Sequence, residues 1–445
     1  MENFSTSGVW WVPSKGPSRV AGVLSFSEND GLRLKIDRSL TIGKDGIVLG
    51  RAGGRQITLQ NCYEIASTSH GLQVTGQEYL IETAFLGAAL TKPAHFRFRK
   101  AVFELTHLID WVSTSGIRTG FSTSGDFTVT YKRPDDTSIT LPAGTLSLAF
   151  TGTYPLGGPN LTIQESVRWE LISSTRKTTD ELLKVYIAPL WNLLRLSTLR
   201  DNSLERLVVY RKPDANPREA IQVIFKTGYS PSRTQRLSSS ELLFSLRDIG
   251  ASSADVIKNW LQIQPKVAPL IENLVGPSFG LKLGLAPRLL NLAQAAEVYH
   301  RLFHTPQTDL PAAEHEARVN EILSVTPEAH KTWLKQKLQY TNELRLIQRL
   351  NAILKEANST VKVLLPSSSK RNRFTFKVAQ IRNDLTHRLN TNINDEQLFI
   401  MGEILFFVIT ACLLIRCGIP EDRVATILGN NFRFARAIEN TQLYL

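Results

Sequence analysis

The sequence predicts an α+β protein: a β-rich amino-terminal domain, sandwich-like with some helices, followed by an all-α carboxy-terminal bundle. Three observations carry that expectation. Short β-prone runs separated by Pro, Gly, Ser and Asn fill most of the chain as far as Phe225. After Ala286, apolar residues recur almost everywhere at helical spacing, with the short polar breaks that join helices in a bundle. Between the two, Gly276-Pro277 with Gly280 and Gly284 breaks any regular pattern, which gives domains of residues 1–275 and 285–445.

Taken in order, Val9 to Val12, Val20 to Phe26 and Leu32 to Ile36 read as strands, and His95 to Lys100 alternates with period two, one face buried and one wet. Strands continue at Phe127 to Tyr131, Leu146 to Phe150 and Leu161 to Leu171, a density that predicts a sandwich or a strongly curved sheet. Thr179 to Leu199 has helical periodicity, a cap at Thr179 or Asp180, and a Pro189 expected to kink or break it. Leu207 to Arg211 and Ala220 to Phe225 return to strand, and Leu242 to Ile249 is ambiguous. Ser253 to Val275 reads as a helix interrupted near Pro265 and Pro269. The bundle then comprises Arg288 to Phe303, Glu314 to Ser324, Glu328 to Ala357 as a pair or one interrupted helix, a loop at Pro366 to Lys370, and the helix bearing Arg382. Glu396 to Cys417, Glu421 to Leu428 and a short helix through Arg433 and Ile438 complete it.

A length of 445 residues suffices for two or three cored domains, and 42% hydrophobic with 21% charged residues is an ordinary soluble composition. The formal net charge of +12 favours a polyanionic partner such as nucleic acid. Cys62, Cys412 and Cys417 make neither a disulfide framework nor a metal set, which points to a reducing cytoplasm. No apolar run of signal-peptide type follows Met1-Glu2-Asn3-Phe4-Ser5. Leu398 to Ile415 is apolar enough to suggest a membrane, but Glu403 interrupts it inside a helical pattern; a buried bundle helix and no membrane partner are expected.

The stretch that carries chemistry is Arg382-Asn383-Asp384-Leu385-Thr386-His387. On a helix, Val378, Ile381, Leu385 and Leu389 cluster within roughly 80° as a buried stripe. Asn383 and His387, four residues apart, share a face pointing away from it, while Arg382 lies nearer its edge. Cleaving RNA without a metal requires deprotonating the ribose 2′-hydroxyl, stabilising the pentavalent phosphate and protonating the 5′-oxygen. Imidazole suits the proton steps, because its ordinary pKa is near neutral. A guanidinium, always charged, can bind two phosphate oxygens at once. Asn383 could hold the imidazole in one orientation. A single histidine per site invites a twofold dimer that brings two copies of Arg382 and His387 into one cleft. Lys370, Arg371, Arg373, Lys377 and Arg388 surround the motif against the single acid Asp384, so they are the expected RNA contacts.

Other candidates are weaker. Glu297, His300 and His304 share helical spacing but lack further ligands, so they read as helix-surface residues, and no metal site or cofactor is expected. Gly50-Arg51-Ala52-Gly53-Gly54 fits no phosphate-binding fingerprint and reads as a turn, and no Gly-x-Ser-x-Gly elbow occurs.

Arg382-Asn383-x-x-x-His387 resembles the motif of HEPN ribonucleases, and the region from about Leu285 to Leu445 resembles the HEPN domain of ApeA-type bacterial anti-phage proteins. Gly8-Val9-Trp10-Trp11-Val12-Pro13, Val20 to Phe26 leading to Leu32-Arg33-Leu34, Ile57-Thr58-Leu59 and the Phe103 to Trp111 stretch resemble the amino-terminal domain of the same family. The resemblance implies a metal-independent defence ribonuclease, a cytoplasmic homodimer restrained until infection. Arg382 and His387 would be catalytic, with Asn383 in support; the substrate would be tRNA or another structured RNA, and a phage-encoded trigger would act at the amino-terminal domain. Some HEPN domains are inactive, so a non-catalytic RNA- or protein-binding dimer is the alternative.

Overall fold

The computed structural model describes all residues except 1, 14–17, 71–72, 154–161, 228–235, 277–283, 388–393 and 445. Two compact units result, Met1–Leu261 and Gln262–Leu445.

In the first unit, alternation of apolar and polar residues decides the architecture. Six strands, β1 (Phe4–Trp11), β2 (Val20–Ser27), β3 (Gly31–Ile36), β4 (Val48–Ala52), β5 (Arg55–His70) and β6 (Gln73–Leu86), form the first part of its sheet; alternation is clearest in β2, which buries Val20, Gly22, Leu24 and Phe26. They pair antiparallel in the order β1-β2-β3-β6-β5-β4, and β4 pairs back onto β1, closing a barrel. The strongly curved alternative thus describes this sheet better than two facing sheets. Trp10, Leu24, Phe26, Leu34, Leu59 and Tyr79 belong to its core. The Trp10 indole donates to the Gly22 carbonyl at 3.2 Å. A Cβ on Gly50 would lie 2.1 Å from the Trp10 ring, so the ring can enter only because that residue has no side chain.

Eight more strands follow: β7 (Phe98–Leu105), β8 (Ile117–Phe121), β9 (Phe127–Tyr131), β10 (Thr137–Leu141), β11 (Gly144–Thr153), β12 (Gln164–Lys177), β13 (Leu204–Tyr210) and β14 (Ile221–Phe225). β6 is long enough to serve two partners along one edge: Gln77 to Ile81 pair with β3, and Thr83 to Leu86 with β14. From there the sheet runs out as β14-β13-β7-β12-β11-β10, while β8 and β9 form a separate ribbon.

Short helices α1 (Leu108–Val112), α2 (Thr179–Leu182), α3 (Ala188–Thr198) and α4 (Leu246–Ile249) complete this unit up to α5 (Ser253–Val275). Thr178 caps α2 with a reciprocal Glu181 contact, one residue before the expected cap. Pro189 does not break the helix. A π turn over Leu183–Ile187 widens the hydrogen-bond ladder just before it, and the helix continues through the proline as α3. α5 likewise runs through Pro265 and Pro269 without the expected interruption; Val267, Leu270, Ile271 and Leu274 are buried along it, and burial overrides the local penalty.

The second unit continues with α6 (Leu285–Phe303), α7 (Ala312–Ser324), α8 (Glu328–Leu338), α9 (Leu346–Glu356), α10 (Asn358–Leu364), α11 (Ser368–His387), α12 (Asp395–Arg416), α13 (Glu421–Gly429) and α14 (Phe432–Tyr444). Lys370 is helical rather than in a loop, because Ser367 Oγ accepts from the Lys370 N–H and starts α11 early. α12 is the central helix, packed against α6, α9, α10, α13 and α14. Its most apolar window has a mean hydropathy of 2.6 and is 89% buried, so the apolar run serves the bundle core. Glu403 on it is 1% exposed and bound by Arg288 of α6 and Arg433 of α14.

Candidate functional site

α11 buries Phe374, Val378 and Ile381, spaced four and three apart, against α6 and α9, with Leu385 half-buried beyond them. That stripe fixes which residues face outward. Asn383 is exposed, and the Arg382 side chain stays 38% exposed at the stripe's edge. Its guanidinium is held from the neighbouring helix: Arg382 Nη2 lies 3.2 Å from Glu297 Oε1 of α6. Nη1 also lies 3.4 Å from Asn383 Oδ1, at the weak end of hydrogen bonding. Thr386 Oγ1 donates to the Arg382 and Asn383 carbonyls at 2.8 and 3.0 Å, satisfying the last turn. His387 is the last helical residue; its side chain, with Arg388 and Leu389, lies outside the described residues.

By helical count, positions 382 and 387 are roughly 140° apart around α11.

The expected RNA contacts divide. Lys370 Nζ donates to the Thr441 carbonyl of α14 at 2.9 Å. Arg371 Nε and Nη2 donate to the carbonyls of Leu365 and Pro366 at 3.0 and 3.3 Å, where α10 ends. Both side chains thus have structural partners. Arg373 is exposed, and Lys377 is half-buried with a pKa pushed down by burial first and then by Arg373. Of the cluster, Arg373 is exposed and Lys377 half-buried, while Arg382 keeps 38% of its side chain exposed beside Glu297. Glu297, considered at first only beside the histidines, is the residue that sequence reasoning missed; no spacing rule could connect it to Arg382 on another helix.

The histidines depart from expectation. His300 is 2% exposed, not a surface residue, and its ring stacks on His304 at 4.9 Å. Its Nδ1 lies 3.2 Å from Arg349 Nη1, and His304 Nε2 lies 2.7 Å from Glu356 Oε2. Glu356 also accepts from the Tyr299 hydroxyl at 2.9 Å and pairs with Arg416 at 2.6 Å. Among the described residues no His, Cys, Asp and Glu group has a metal-binding arrangement. The cluster ties α6, α9 and α12 together. Burial, followed by the charges of His304 and Arg349, pushes the His300 pKa down from 6.5 to about 4. Because the folded value lies below the unfolded one, the unfolded chain takes up the proton first as pH falls; stability present above pH 6.5 is lost between 6.5 and about 4. Urea midpoints are expected to show about 2 kcal/mol lost to this group between pH 7 and 5. His300→Gln should flatten that slope, and an unchanged slope would show that His300 protonates freely in the folded state.

Residues 5–260 match the family described as ApeA N-terminal domain 1, and residues 290–423, which include the whole motif, match Apea-like HEPN. No curated protein and no solved structure matches the chain.

Proposed function

The chain belongs to the ApeA-type family, an ApeA N-terminal domain ahead of an ApeA-like HEPN domain, and from that premise we propose that it is a metal-independent endoribonuclease serving cytoplasmic defence against phage. The observation that carries this reading is the half-open guanidinium of Arg382, held by Glu297 and followed by exposed Asn383 on the helix that ends in His387. Arg382 binds the scissile phosphate and neutralises charge as the pentavalent state develops. His387 takes the proton from the 2′-hydroxyl; the oxygen attacks phosphorus, the bond to the 5′-oxygen breaks, and that oxygen leaves with a proton donated by the His387 of a second copy. Asn383 orients the imidazole. On this reading residues 285–445 form the nuclease, which works as a homodimer, and residues 1–275 restrain it until a phage component is sensed.

The chemistry fixes the products: a 2′,3′-cyclic phosphate on one side of the cut and a 5′-hydroxyl on the other. Purified full-length protein incubated with total RNA in EDTA should generate both ends. Cleavage that appears only on adding a divalent cation would overturn the mechanism. RNA binding that is sensitive to salt, with no cleavage under any condition, would favour the binding-module alternative.

A further inference from the structure

The connection between α6 and α9 carries a helical hairpin that the bundle core does not explain. Neither α7 nor α8 contains a buried residue, and their main packing is against each other. On α8 the half-buried residues are Lys331, Leu334 and Leu338, at three- and four-residue spacing, which marks the face turned to α7. A neighbouring face, about 100° round the helix, carries exposed His330, Trp333 and Lys337 at the same spacing, and the turn after α8 adds Tyr340. Trp333 is 59% and Tyr340 69% exposed.

The composition of this outer stripe decides what it suits. A coiled-coil seam is built on aliphatic side chains, and the two leucines of α8, Leu334 and Leu338, are already half-buried. The outer face offers flat aromatic rings with an imidazole and an ammonium between them, on a helix with three lysines against one glutamate, itself paired with Lys331 at 2.8 Å. α7 has the reverse balance, with Glu314, Glu316 and Glu321 against Arg318. An anion is therefore favoured on the α8 side. Unstacked bases with a phosphate backbone match that pattern, since each base has a face to stack and each linkage a charge.

The root of the hairpin is fixed beside the candidate site. Asn342 clamps the neck: its Nδ2 donates to the Leu310 carbonyl at 3.0 Å, and its Oδ1 accepts from the Leu310 N–H at 2.8 Å. Glu343 next to it pairs with Arg301 of α6 at 3.2 Å. Arg301 lies one helical turn from Glu297, which holds Arg382, so neck and motif attach to the same edge of α6 about 6 Å apart. We propose that α8 and the turn after it form a stacking platform for single-stranded RNA, which feeds a loop or unpaired strand toward Arg382. The proposal rests on the ribonuclease reading and names the substrate class of that same site.

The test uses full-length chain carrying His387→Ala, so that the probe stays intact, and fluorescence anisotropy with a fluorescein-labelled 20-nucleotide oligouridylate. Trp333→Ala with Tyr340→Ala should weaken binding about 10- to 100-fold, whereas Trp333→Phe with Tyr340→Phe should stay within about threefold of the parent. Both residues are exposed, so melting temperatures should match. Equal affinity in the alanine pair overturns the platform, and if the chain without these changes still cuts RNA, the nuclease reading stands alone. Loss of dimer mass in the alanine pair by light scattering also overturns it, because the stripe would then be a contact between chains. Aromatic-dependent binding by a chain whose unaltered form never cuts RNA supports the platform and removes the nuclease.

Discussion

Arg382→Ala and His387→Ala each lower RNA cleavage by at least about a hundredfold, because each removes a group needed only as the phosphate becomes pentavalent. For Arg382 the lost term is charge aimed at the equatorial oxygens, which oxyanion-type stabilisation values at about 10²- to 10³-fold. Arg382→Lys keeps the charge but not the planar fork. A lysine cannot satisfy Glu297 and two phosphate oxygens together, so the conservative variant should also fall by about tenfold or more. For His387 the loss is proton transfer, worth about 10² to 10⁴. Mixing the two inactive proteins separates a shared site from two private ones. A heterodimer contains one intact arginine and one intact histidine, so a shared cleft should recover activity above either inactive protein, yet well below the parent because one of its two His387 groups is still missing. Private sites would recover nothing. Cleavage unaffected by either single change would end the assignment of both residues.

Much of this was legible in one dimension. The stripe of Val378, Ile381 and Leu385, three and four residues apart, is a property of local sequence, and it alone turned Asn383 outward; the structure buries the first two, half-buries Leu385 and adds Phe374. The acid inside the apolar run of α12 was equally visible, although its partners Arg288 and Arg433 stand on other helices. What sequence could not supply were contacts between distant segments. Closure of the barrel depends on β4 meeting β1, which no alternation pattern specifies. The Glu297 hold on Arg382 joins two helices, each of which reads as a plain amphipathic segment. The prolines misled for the same reason, since Pro189, Pro265 and Pro269 were judged by local cost while burial and a π turn decided the outcome. His300 was taken for a surface residue because the segment that covers it, with Gln307 and Arg349, lies beyond its own helix.

Glu403→Ala should be the most destabilising single change in the helical unit. The carboxylate is 1% exposed, with Arg288 Nη2 at 2.6 Å from Oε1, and Arg433 Nε at 2.5 Å from Oε2 and Nη2 at 2.6 Å from Oε1. Burial alone would push its pKa up, but the hydrogen bonds and charges of Arg433 and Arg288 outweigh that and hold it below the ordinary 4.5. Its charge therefore contributes stability above the unfolded value, and that contribution is lost as pH falls through the lower folded one. Removing the carboxylate leaves two guanidinium groups, both mostly withdrawn from water, with no counter-charge between them. Breaking a buried ion pair in this way costs about 3–5 kcal/mol, a large share of the roughly 5–15 kcal/mol that a folded domain has. Glu403→Gln preserves volume and one acceptor while deleting the charge, so a loss nearly as large would identify charge balance, rather than a cavity in α12, as the cause. Adding Arg288→Met and Arg433→Met to Glu403→Leu should recover most of the loss, since an apolar triad needs no desolvation. Urea midpoints of the four proteins decide this: a Glu403→Ala loss below about 1 kcal/mol would mean that water or a side-chain shift already relieves the two arginines.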